Sequence, residues 1–147
     1  MEGKRDFLGL DDDVFPAVKR RTELFARGNP ESSDDWIVVD RDRPTLEEFF
    51  TEFVAEIKNE TGRHDINDYE DQMAVNYSEK EVEQGLDKLH RTLIQVAIEF
   101  HLMRWYESLG RLQQSAHHRR VYNKLLRDWK YNSTKPAFIT PAYRPYF

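Results

Sequence analysis

The chain has 147 residues, of which 33% are charged, 39% hydrophobic and 13% aromatic, and it contains no cysteine. That length fits one domain able to bury its own core, and the aromatic content argues against a disordered chain. Without cysteine there are no disulfides, thiolate metal sites or cysteine nucleophiles. No apolar run reaches the roughly 18 residues that span a bilayer. No hydrophobic signal core follows the polar start Met1–Asp6, so the expected location is intracellular, with the cytoplasm favoured.

The net charge of −5 is unevenly spread. Residues 1–83 hold 23 acids and 11 bases, a balance of −12, whereas residues 84–147 hold 4 acids and 11 bases, a balance of +7. Such a split has three readings: the halves attract each other within the fold, the basic half meets an acidic partner or nucleic acid, or the acidic half meets a basic partner. The intramolecular reading comes first, because solvated charged faces are common.

Residues 1–35 read as an N-terminal polar segment with a short helix. The acidic run Asp11-Asp12-Asp13 ahead of Pro16 suits a helix N-terminus, and Gly28 followed by Asn29-Pro30 ends it. Val14, Val18 and Phe25 give that helix a thin apolar stripe, as for a helix on a surface or one that orders on a partner. Trp36–Val39 is short, β-branched and bounded by acids, which predicts a strand. Thr45 and Glu48 have the spacing of a capping box. Leu46, Phe49, Phe50, Phe53, Val54 and Ile57 follow at helical spacing up to Gly62, which predicts a helix over residues 45–61. Met73, Val75 and Tyr77 alternate, which predicts a second strand over 72–77, paired in parallel with 36–39.

Ser78 and Glu81 form another capping box. Beyond it Val82, Leu86, Leu89, Leu93, Val96, Phe100 and Met103 recur at spacings of four and three, which predicts one long helix over 79–109. Its middle is apolar nearly all round, too wide for a single partner helix, so the helix belongs at the centre of a bundle. Gly110 breaks it, and a further helix is predicted over 112–130. The tail carries Pro136, Pro141 and Pro145 and reads as an extended arm. The expected fold is therefore mainly α, a helical bundle around one long central helix with a minor two-stranded β element. The domain organisation is 1–35 as the polar segment, 36–130 as the mainly helical domain and 131–147 as the aromatic, proline-rich C-terminal arm.

Chemistry is sparse. His90, His101, His117 and His118 raise a metal question, but His90 and His101 are three helical turns, about 16 Å, apart. Asp87 with His90 has the spacing of a bundle metal ligand pair, yet no second pair exists. There is no glycine-rich phosphate loop and no serine nucleophile motif. No catalytic, cofactor-binding or metal residue is assigned, and no cofactor is expected. The last helix is more informative: His117, Arg120, Lys124, Arg127 and Tyr131 fall on one face, flanked by Arg119 and Lys130. The over-apolar central helix, which leaves apolar surface for a partner, the aromatic C-terminal arm and the lack of catalytic motifs predict a non-enzymatic assembly or adaptor subunit, with a protein partner or a second copy as its target. Phe138, Tyr143, Tyr146 and Phe147 would dock, and Arg119, Arg120, Lys124 and Arg127 would form a charged contact face. The alternative is a nucleic-acid-binding module using the same basic face. A third reading is an enzyme whose pocket is assembled from scattered Glu, His and Tyr residues.

Overall fold

The alternation of Met73, Val75 and Tyr77 becomes a strand, β3 (Gln72–Tyr77), in the computed structural model of the protein. The structure describes residues 3–62, 66–69 and 71–134. β3 is central in a three-stranded antiparallel sheet, between β1 (Lys4–Gly9) and β2 (Ile66–Tyr69). The register sets Leu8 opposite Met73 and Ile66 opposite Val75. One face of the sheet thus carries Leu8, Ile66, Met73, Val75 and Tyr77 into the core, all of them buried.

Trp36–Val39 is not the partner strand, and the sheet has no parallel pair. Asp34–Trp36 is a short 3₁₀ turn. The main chain beyond it is satisfied by side chains: Thr22 Oγ1 accepts from Val38 N at 3.0 Å, and Trp105 Nε1 donates to Trp36 O at 2.8 Å. Backbone groups already paired in this way have no need of a ladder. The burial of Trp36 and Val38 that made the segment look like a strand remains.

Among the described residues five α-helices join the sheet: α1 (Phe15–Arg27), α2 (Arg43–Thr61), α3 (Glu79–Glu83), α4 (Leu86–Ser108) and α5 (Leu112–Thr134). Gly28 ends α1 as the sequence predicts. The N-terminal segment lies deeper than its polarity suggests, since Leu8, Leu10, Val14 and Val18 are fully buried. α2 starts two residues before the Thr45 box. A 3₁₀ turn over Asp40–Asp42 runs directly into it, with Asp42 accepting from Val39 N at 2.9 Å, so Thr45 falls inside the helix. Gly62, at φ 64°, closes α2.

The predicted 79–109 helix is two helices. The Ser78–Glu81 capping box forms and opens α3. Gly85 then takes φ 108°, a left-handed conformation that costs glycine nothing, and the chain restarts as α4. α4 is the central helix. Leu89, Leu93, Val96, Ala97, Phe100, Leu102 and Met103 are buried, and Ile94 and Ile98 are half-buried against the same core. Its apolar girth is covered from within the chain, by α1, α2, α5 and the turn over residues 10–14. Each fully buried Phe, Leu or Val contributes roughly 1.5–3 kcal/mol of transfer free energy to this packing.

Candidate functional site

α5 follows Gly110, whose φ of 73° turns the chain back along α4. Its inner stripe of Ser115, Tyr122, Leu126 and Trp129 is buried. That fixes the opposite side, where Arg120, Lys124 and Arg127 are exposed, with the exposed Arg119 at its flank. Arg119 approaches Glu107 at 3.7 Å. Among the described residues Arg120, Lys124 and Arg127 make no ion pair. Asp128 is the single acid interspersed with them. Three of the predicted partner-contact cations, Arg120, Lys124 and Arg127, therefore share one solvent face, and Arg119 flanks it. Phe138, Tyr143, Tyr146 and Phe147, the predicted docking aromatics, lie outside the described residues.

Among the described residues the charge asymmetry is answered inside the fold by Arg104 with Glu52 at 3.1 Å and Lys130 with Glu60 at 3.7 Å. Among the described residues other acids of the first half pair with bases of the same half, Asp40 with Lys19 and Glu23 with Arg27. Arg43 gathers Asp11, Glu47 and Asp71 at 2.7, 2.9 and 3.1 Å, and the Arg43 hydrogen bond holds the Asp11 carboxyl below the usual range.

The histidines separate by environment. His90 uses both ring nitrogens: Nε2 donates to Phe7 O at 2.9 Å, and Nδ1 accepts from the Tyr77 hydroxyl at 2.9 Å. It ties the start of α4 to the sheet and has no lone pair left for a metal. His101 is fully buried and is ringed by Phe49, Phe50, Phe53 and Phe100 at 5.9–6.4 Å between centroids. Its Nδ1 donates to Ala97 O at 2.7 Å, and its Nε2 has no hydrogen bond. Burial pushes its pKa down to about 4, outweighing the main-chain carbonyls of Ala97 and Leu46, which favour the protonated ring. Among the described residues no group of three or more metal-ligating side chains converges.

His118 differs from both. Its Nδ1–H donates to Glu99 Oε1 at 2.7 Å, and Arg21 donates to the other oxygen, Oε2, at 2.9 Å. Glu99 is 5% exposed, on the most apolar stretch of α4. Burial alone would raise its pKa, but the His118 hydrogen bond and the Arg21 charge together lower it, so it is held as a carboxylate. The Tyr106 ring stacks on His118 at 5.5 Å with an interplanar angle of 8°. The imidazole is thus fixed by a carboxylate at one nitrogen and by an aromatic face, while its Nε2 makes no hydrogen bond among the described residues. Beside it lies a cleft of about 390 Å³ between α1, α4 and α5, lined by Arg21, Phe25, Leu102, Tyr106, Gln113, Gln114, His117 and His118.

The sequence reading missed this cluster. The available signal was Glu99 itself, a lone acid within Val96-Ala97-Ile98-Glu99-Phe100, because a carboxylate on an all-apolar helix needs a partner. Nothing in the sequence marks Arg21, 78 positions away, as that partner.

Comparison with known protein families, curated proteins and solved structures finds no match for this chain. No helix among the described residues is long and apolar enough to cross a membrane.

Proposed function

We propose that the chain is a non-enzymatic assembly or adaptor subunit that meets an acidic protein surface through the outer side of α5 and the aromatic segment after it. The observation that carries this reading is the unanswered charge on α5. Arg120, Lys124 and Arg127 share one exposed face and make no ion pair among the described residues. The apolar girth of α4, the sequence-level reason to expect a partner, is covered by the chain itself. Charge therefore leads the contact, setting partner choice and association rate more than affinity. The aromatic residues Phe138, Tyr143, Tyr146 and Phe147 are of the type that anchors interfaces.

The test uses the full chain with Arg120→Glu, Lys124→Glu and Arg127→Glu combined, and separately a chain ending at Lys135. Light scattering shows whether the partner is a second copy, by a mass above 17.6 kDa. Affinity enrichment after nuclease treatment, followed by binding of the purified partner, shows whether it is another protein. Both variants lose the contact if the reading holds, while keeping the wild-type helical signal. Contact that both variants retain contradicts it. Contact removed by nuclease assigns the same face to nucleic acid.

A further inference from the structure

We propose that the cleft between α1, α4 and α5 binds a small organic carboxylate, held by Arg21 and seated against the apolar wall of Phe25, Leu102 and Tyr106. The proposal is independent of the α5 contact surface.

Two of the lining residues, Arg21 and His118, are held from behind by a group that would be costly to maintain for packing alone. A carboxylate 5% exposed on an apolar helix carries a large desolvation penalty unless both oxygens are paired. Glu99 uses one oxygen for His118 and the other for Arg21. The result is an imidazole whose orientation is set by its Nδ1–H bond and by the stacked Tyr106 ring. Its Nε2 makes no hydrogen bond among the described residues.

The geometry also settles which sign of ligand fits. Arg21 spends one amino group on Glu99, yet its side chain is 41% exposed and lines the cleft. A guanidinium has five N–H donors in a planar fork, and the remaining ones match a carboxylate. Glu99 is paired behind the cleft with Arg21 and His118, and the lining residues include no carboxylate. An anion meets the remaining guanidinium donors of Arg21, which a cation would be repelled by.

Size and lining narrow the ligand further. A volume of about 390 Å³ lies at the lower end for small-molecule sites. Phe25 and Tyr106 meet edge to face at 5.6 Å, and with Leu102 they form one apolar side. Gln113 and Gln114 offer amide donors and acceptors at the start of α5. This division, apolar on one side with the Arg21 guanidinium on the other, suits a carboxylate on a compact apolar body better than a bare inorganic anion.

The test is a titration of the full chain with three probes, benzoate, benzamide and inorganic phosphate, read by amide and histidine-ring NMR shifts. Benzoate is expected to give saturable shifts confined to residues around Arg21, Tyr106, Gln113 and His118. Benzamide, the neutral analogue, and phosphate, which lacks the apolar body, are each expected to bind at least tenfold more weakly. Arg21→Met should lose at least tenfold in benzoate affinity. Because that variant leaves Glu99 short of a partner, Gln113→Trp serves as a second one: position 113 is exposed, and the indole blocks the cleft without touching the Glu99 pair. Loss of the benzoate shifts in Gln113→Trp supports the site. The proposal is overturned if benzoate gives no saturable shift, if benzamide or phosphate binds as tightly as benzoate, or if benzoate affinity survives in Gln113→Trp.

Discussion

His101 makes the stability of this protein depend on pH in a window that can be calculated. In the unfolded chain its pKa is near 6.5, and in the folded chain burial lowers it to about 4. Above pH 6.5 the ring is neutral in both states, and folding is indifferent to it. As pH falls from 6.5 to 4 the unfolded state binds a proton that the folded state refuses, so stability is lost. Below about 4 both states are protonated and the loss stops. At about 1.36 kcal/mol per unit, the full loss is roughly 3 kcal/mol. His101→Leu removes the titration while keeping an apolar side chain among the four Phe rings. At pH 7.5 its cost should stay within about 1 kcal/mol, because the lost Nδ1–Ala97 bond is offset by removing a buried nitrogen that has no partner. The assay is urea unfolding followed by circular dichroism at half-unit pH steps and fixed ionic strength, with the wild-type and variant curves subtracted. The other histidines are common to both proteins and cancel. The difference should be flat above pH 7 and should move in favour of the variant by roughly 3 kcal/mol on reaching pH 4. A difference that does not change with pH would falsify the assignment of His101 as a buried neutral ring.

The Glu99 carboxylate gives a second and separate pH window. Its folded pKa lies below 4.5, so its contribution is complete above pH 4.5 and lost as pH falls through the lowered value. The difference between wild type and Glu99→Gln should therefore change as pH falls below 4.5, and a difference that stays flat there would refute the pairing. Gly85→Ala should destabilise by about 1–2 kcal/mol in the same urea assay, because φ of 108° is strained for any residue with a Cβ; an unchanged midpoint would mean that the α3–α4 break does not depend on glycine. Trp105→Phe leaves the buried Trp36 carbonyl without its donor and should cost about 1–3 kcal/mol. A neutral result there would show that the segment after Trp36 is held by packing alone.

What the sequence disclosed was periodicity, and what it concealed was long-range pairing. The α2 stripe from Leu46 to Ile57, the end of α1 at Gly28, the Ser78 cap and the Gly110 break are local signals, and each forms where it was expected. The sheet was half legible. Met73, Val75 and Tyr77 alternate, but the partner β1 carries Lys4, Arg5 and Asp6, whose polarity masks a strand that buries only Leu8 and its neighbour Gly9. Trp36–Val39 misled for the opposite reason. Its apolar residues are buried, yet Thr22 and Trp105 supply the hydrogen bonds that a neighbouring strand would have made. The cationic face of α5 could be read from three- and four-residue spacing alone. The cleft could not, because Arg21, Glu99 and His118 meet only after three helices have packed.

The contact surface on α5 is tested most directly by comparing the nuclease-resistant partners of the full-length wild-type chain with those of the Arg120→Glu, Lys124→Glu, Arg127→Glu variant. Contact through α5 predicts an acidic protein, or a second copy of the chain, that binds the purified wild type with an affinity falling as salt rises and that is absent with the variant. Equal recovery of the same partners by both proteins would contradict it.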